Sequence, residues 1–187
     1  MPRLHDTKRD LVLAMTAFLL LYGAIGAPLF WRKDVALGLI AASLVLAAVL
    51  AALSAIDLYF YRLPDVLTLP LAALGLFVSS WSGAAPLWWS AASAGLGFVL
   101  LAGTSYAYRY VRGRAGLGLG DAKLLAASGA WLGAEALPTV LLWATGPALV
   151  CVLIASCRDG SLSGATRLPF GPFLSFGTWL VWLYGPL

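Results

Sequence analysis

The sequence predicts an all-α fold: a polytopic membrane protein with about seven transmembrane helices and its amino terminus in the cytoplasm. Three observations carry this. Hydrophobic residues make up 61% of the 187 positions and charged residues only 11%, far outside the balance of a soluble domain. The apolar residues fall into runs near the ~20 residues that a helix needs to cross a bilayer. Finally, Lys and Arg collect on one side of the alternation between runs, which sets orientation.

In chain order the runs are Leu11 to Trp31, Val35 to Ile56, Val66 to Trp81, Leu87 to Tyr108, Asp121 to Leu132, Ala136 to Cys157 and Phe170 to Tyr184. The first follows Arg3, Lys8 and Arg9 and holds Ala24-Ile25-Gly26-Ala27, features shared with a secretory signal peptide. Its continuation through Trp31, and the very short turn to the second run, favour a retained span. The third and seventh runs are marginal in length and the fifth is short, but the strong runs around them require the chain to cross.

Alternating crossings place Arg3, Lys8, Arg9, Arg62, Arg109, Arg112, Arg114, Arg158 and Arg167 on the amino-terminal side and only Arg32 and Lys33 opposite. That side is therefore expected to be cytoplasmic. Lys123, just inside the fifth run, adds to the same side. Tyr59, Phe60 and Tyr61, with Tyr106, Tyr108 and Tyr110, suit the headgroup level of that face, and Trp88 and Trp89 the other. The net charge of +4 forms no single patch, so no nucleic-acid partner is expected. With no linker, low-complexity tract or repeat, residues 1–187 read as one membrane domain. Cys151 and Cys157 lack the spacing of a zinc site and read as small core residues.

Two acidic residues stand out. Asp57 ends the second run and Asp121 opens the fifth, and a charge near the bilayer core costs at least ~2.5 kcal/mol on insertion scales, which makes each a functional candidate. The topology puts both at one depth near the cytoplasmic face, where they can meet. Aromatic residues follow Asp57, and no local backbone donor requires its charge. Asp65, after Pro64, is placed to cap the next helix. Asp121 follows glycines at 116, 118 and 120, a stretch that a peptide backbone could approach closely and that could equally be a flexible connector with Asp121 as helix cap. No strand precedes these glycines, and their spacing fits neither a P-loop nor a dinucleotide fingerprint.

Two carboxylates held together do not easily both ionise. The ionised member can activate water against a peptide carbonyl, while the protonated one polarises that carbonyl and later serves the leaving amine. This chemistry needs neither metal nor cofactor. Nucleophile schemes are poorly supplied, because the single histidine, His5, lies in the amino-terminal tail. A proton-coupled transporter is a rival use of buried carboxylates, but it needs acidic groups spread through the membrane depth. A non-catalytic membrane subunit of a pilus or secretion system is a second rival.

Three blocks carry a family resemblance. The segment from Gly118-Leu119-Gly120-Asp121-Ala122-Lys123 to Gly133, the segment from Asp57 through Leu63-Pro64-Asp65-Val66-Leu67-Thr68-Leu69-Pro70, and Leu168-Pro169-Phe170-Gly171-Pro172-Phe173-Leu174 together resemble the type IV prepilin peptidases. These are intramembrane aspartic proteases of the Gly-x-Gly-Asp class. The resemblance implies Asp57 and Asp121 as the catalytic pair and a bacterial inner-membrane location, while Gly118, Gly120, Lys123 and Asp65, which stand in the same blocks, are expected as substrate-binding or supporting residues. It implies as partners the lipid bilayer and a prepilin or pseudopilin, whose basic leader is removed at the cytoplasmic face, and it fixes no oligomeric state. Lys123 is expected either to influence Asp121 or contact a substrate carboxylate, or simply to snorkel to the headgroups, the reading favoured because residues two apart share no helix face. Bifunctional members carry an additional first helix and a cytoplasmic segment with paired Cys-x-x-Cys motifs, associated with methylating the new amino terminus. This chain begins with a short basic tail and has no such cysteine set, so a peptidase-only short form is expected.

Overall fold

The computed structural model describes residues 4–30, 36–113, 118–159 and 169–187. Arg3, Arg32, Lys33, Arg114, Gly116, Arg167 and Leu168 lie outside the described residues, as do the side chains of His5, Lys8 and Arg158. The described chain is helical, with α1 (Leu4–Phe30), α2 (Leu37–Phe60), α3 (Asp65–Trp81), α4 (Leu87–Arg112), α5 (Leu119–Leu132), α6 (Leu137–Asp159) and α7 (Gly171–Tyr184). A single 3₁₀ turn, Ala134–Ala136, joins α5 to α6. Every apolar run has become a helix. Four segments are long and apolar enough to cross a membrane: Arg9–Ala27, Leu37–Phe60, Leu87–Arg112 and Ala134–Ile154.

Helix direction alternates along the chain. Gly38 of α2 meets the Trp81 ring at the end of α3, and Ser43 and Asp57 of α2 bond to Trp182 and Gly171 of α7, so α2 runs against both. Asp65 and Gly75 of α3 meet Lys123 and Trp131 of α5, so those two run parallel. In consequence the C-terminal end of α2 and the N-terminal ends of α3, α5 and α7 gather at one end of the bundle. Gly75 has no side chain where the Trp131 ring lies, and Trp131 Nε1 donates to the Leu71 carbonyl at 2.8 Å.

The shortest helices occupy the centre. In α5, of 14 residues, Ala122, Leu124, Leu125, Ala127, Ser128, Gly129 and Ala130 are all buried, and α7, also of 14, is nearly as enclosed. A helix that is apolar on every side and surrounded by others does not have to reach both membrane surfaces. The longer α1, α4 and α6 instead present large apolar side chains outward, such as Leu20, Val99 and Leu153. Lipid does not drive helices together hydrophobically, so close backbone approach and interhelical hydrogen bonds must do so. Small residues permit the approach: a Cβ on Gly97 of α4 would stand 2.6 Å from the Leu125 carbonyl oxygen, and one on Gly177 of α7 would stand 2.6 Å from that of Val140. Hydroxyl and indole groups make the bonds, with Tyr22 to Ser54 at 3.1 Å, Ser128 to Thr178 at 2.7 Å and Trp179 Nε1 to the Tyr22 carbonyl at 3.0 Å.

The expectation for the two cysteines is corrected. Cys151 and Cys157 are exposed on α6 rather than packed in the core. Gly177 packs on Val140, so α7, which begins at Gly171, reaches only the first part of the antiparallel α6. Beyond Ala148, α6 has no described partner long enough to cover it.

Gly97→Ala is expected to destabilise the bundle by ~1–3 kcal/mol, because the opposing atoms are backbone and cannot rotate away. Gly103→Ala on the same helix has open space at the new methyl and should be neutral or slightly stabilising. Thermal unfolding of both variants in detergent checks the contrast.

Candidate active site

Asp57 and Asp121 are the acidic residues buried among the described ones, at 6% and 9% exposure. The remaining buried polar side chains are hydroxyls, several bonded to a carbonyl one turn back on the same helix, as in Ser54 to Leu50 and Ser128 to Leu124.

Asp57 lies one turn before the end of α2. The helix closes at Tyr61, whose amide donates to the Asp57 carbonyl at 2.9 Å and whose φ of 52° is left-handed, an uncommon state for a bulky residue. Pro64 then fixes the start of α3, and the residue before a proline is turned away from helix. The chain reverses within this short stretch and drives Leu63 inward. Leu63 packs on Gly120, where an added Cβ would come within 2.9 Å of the Leu63 Cβ. Gly120 is therefore a contact surface, which refines the expectation that it leaves room for a peptide.

Asp121 occupies the third position of α5, after Gly118 at the N-cap. Its carboxylate accepts a hydrogen bond from the Gly118 amide, the same return reach that an acidic residue makes in a capping box. The capping and functional readings of Asp121 thus coincide in one side chain. A Cβ on Gly118 would stand 3.4 Å from Asp121 Oδ2, so this residue too lies against the carboxylate.

A residue that sequence reasoning left without a role completes the site. Gly171, the first residue of α7, donates its amide to Asp57 Oδ2 at 2.9 Å, and a Cβ there would fall 2.7 Å from that oxygen. The available signal is the block Leu168 to Leu174, which carries the resemblance but which the sequence links to neither aspartate. Its amide is one of the donors that a helix start leaves without an intrahelical partner. Pro172 follows, as suits a first turn where a missing amide costs nothing.

Asp57, Asp121, Gly118, Gly120, Asp65 and Lys123 line one cavity of about 510 Å³, with Arg62, Leu63 and Tyr61 on its wall. The two carboxyl groups are near enough for the charge of Asp57 to act on Asp121. Asp65 departs from its expected role: it is the first residue of α3, with Pro64 at the N-cap, and makes no capping bond. It instead accepts from Lys123 Nζ at 2.6 Å. Lys123 is accordingly not free to snorkel, because its ammonium is held across the gap between α5 and α3. Among the described residues, no group of three or more His, Cys, Asp or Glu side chains gathers in a way that could hold a metal ion.

The chain matches the Type IV leader peptidase family over residues 44–155. It is 46% identical over 132 residues to a prepilin leader peptidase/N-methyltransferase of Burkholderia pseudomallei, covering 71% of this chain and 42% of that protein. It is 41% identical over 145 residues to the protein of that name from Aeromonas salmonicida, covering 77% of this chain and 49% of the relative. A Pseudomonas aeruginosa relative of the same name is 38% identical over 145 residues, with the same coverage of 77% and 49%. The chain thus spans about half the length of these curated relatives or less. No solved structure matches it.

With Cys151 and Cys157 replaced by alanine, Leu63→Cys combined with Gly120→Cys is expected to form a disulfide on mild oxidation, given a small outward shift to the usual ~3.8 Å Cβ separation. Intact-mass measurement with and without reductant checks it. Persistent free thiols would contradict the packing of the α2–α3 turn on α5.

Proposed function

The chain belongs to the type IV leader peptidase family, and we propose that it is an intramembrane aspartic endopeptidase removing the basic leader from type IV prepilins or pseudopilins. The observation that carries this reading is the meeting of Asp57 and Asp121, from two helices distant in sequence, on the wall of one cavity.

The proposed chemistry follows from two carboxyls that share one proton. The ionised carboxylate takes a proton from a water molecule as the water oxygen bonds to the scissile carbonyl carbon, and the protonated partner hydrogen-bonds to the carbonyl oxygen. Collapse of the tetrahedral intermediate breaks the C–N bond, and a carboxyl proton passes to the leaving amine. Protons and electrons balance within substrate, water and the two side chains. The amides of Gly171 and Gly118 orient the two carboxyls, leaving each an oxygen to face water or substrate. The buried hydroxyls elsewhere bond largely to their own helices or in isolated pairs, which favours hydrolysis at one face over a proton route through the bundle.

In the membrane arrangement we propose, the odd-numbered helices run away from the cytoplasm and seven helices contribute to the crossing bundle. The cavity then opens at the cytoplasmic face of the inner membrane. Arg62, Arg109 and Arg112 stand at the same end, in accord with the charge rule. Reporter fusions at Arg62 and Arg112 are expected to read as cytoplasmic, and a periplasmic signal at either would reject the orientation.

Incubation of the purified protein in lipid with a leader-bearing prepilin should release the leader, and Asp57→Asn or Asp121→Asn should each lower the rate at least ~100-fold. Full cleavage by either variant would overturn the catalytic pair. Activity is proposed for the peptidase half of the relatives' name alone, so the product amino terminus should remain unmethylated when S-adenosylmethionine is supplied, as mass spectrometry will read.

A further inference from the structure

We propose that the Asp65–Lys123 ion pair is a positioning latch: it fixes the first turn of α5 against the first turn of α3 and thereby sets where Asp121 stands relative to Asp57. The inference rests on the peptidase reading for its catalytic consequence, while the latch itself is a matter of geometry.

Beyond their side-chain packing, the parallel helices α3 and α5 are joined by two polar ties. Deep in the bundle, the Trp131 ring occupies the space left by Gly75, and its indole donates to the Leu71 carbonyl at 2.8 Å. At the site end, Lys123 Nζ meets Asp65 Oδ1 at 2.6 Å. The deep tie alone leaves the site end of α5 to its packing against α4 and Leu63, whereas a second tie beside the cavity fixes that end against α3 as well. The need for the second is local to α5. Gly118 and Gly120 offer no side chains as anchors, and Leu119 is 62% exposed, so the opening turn before Asp121 holds itself to α3 by no apolar side chain of its own. Lys123 is the polar anchor nearest the carboxylate.

Asp65 also follows directly on the turn that holds Leu63 against Gly120 and closes α2 just beyond Asp57. The latch therefore joins the segment carrying one aspartate to the helix carrying the other. An ion pair exposed at 32% and 56% contributes little to global stability. Its leverage is geometric, since displacement of a reacting group by ~1 Å can cost 10²-fold in rate.

The test compares Asp65→Asn, Lys123→Gln, Lys123→Arg and the swapped pair Asp65→Lys with Lys123→Asp, all purified in lipid. Asp65→Asn and Lys123→Gln are each expected to lower kcat about ten-fold with KM within about two-fold and thermal stability nearly unchanged. Lys123→Arg should retain most of the rate. The swap should recover most of what either single change loses, although a lysine at the start of α3 meets the positive end of the helix dipole. A swap no better than the single variants, a change confined to KM, or unchanged kcat in the singles would overturn the latch.

A second readout is independent of activity. In the Leu63→Cys, Gly120→Cys background, Asp65→Asn and Lys123→Gln should slow disulfide formation and the swap should restore it. Were the wild-type protein to cleave no prepilin, the catalytic reading would fail, and the cross-linking rates alone would uphold or overturn the latch.

Discussion

Everything in this molecule turns on the need to keep two carboxylates inside an apolar helix bundle. A buried ionised group lacking partners costs several kcal/mol, and the apolar side chains of a membrane helix offer none. The fold answers with helix starts. Because α2 runs opposite to α3, α5 and α7, three N-termini surround the end of α2, each with amides that its own helix leaves unpaired and the positive end of a dipole. Two of those amides are used directly, Gly171 on Asp57 and Gly118 on Asp121. The alternation of helix direction is therefore what makes the site chemically tolerable.

Glycine makes that arrangement compact enough to work, in two different ways. Gly97 and Gly177 bring helix backbones together where lipid gives no hydrophobic push. Gly120 and Gly171 act on the site itself, one admitting Leu63 and the other admitting the carboxylate of Asp57. A methyl at either would occupy space already taken, so their requirement is steric rather than conformational. Neither has the positive φ that would call for glycine on backbone grounds.

Much of this was legible in the sequence, because it depends on contiguous pattern. Each apolar run became a helix, and the two aspartates were conspicuous for standing against the composition around them. The features that escaped are those that need the third dimension. The bond from Gly171 to Asp57 joins residues far apart in the chain, and a lone amide leaves no trace in side-chain pattern. Asp65 read as a cap from its place after Pro64, yet the helix start left its carboxylate facing α5, where a lysine was within reach. The cysteines read as core from their apolar setting, but burial in a membrane helix depends on how far its neighbours extend, and α7 is too short to cover them.

The two ends of the bundle are held by different chemistry, and the difference bears on how the proposed peptidase would receive its substrate. Away from the site, indole and hydroxyl groups of Trp131, Trp179 and Tyr22 tie helices through buried bonds, and Trp182 adds a partly buried one. At the site, the link between α3 and α5 is a half-exposed ion pair beside an open cavity. Buried neutral bonds resist local opening, whereas an exposed ion pair exchanges readily with water and with other charges. In the proposed peptidase, a peptide entering the cavity would meet helices registered at depth by shielded bonds and at the mouth by the Asp65–Lys123 latch, which holds the first turn of α5 while its half-exposed charges stay accessible to an incoming leader.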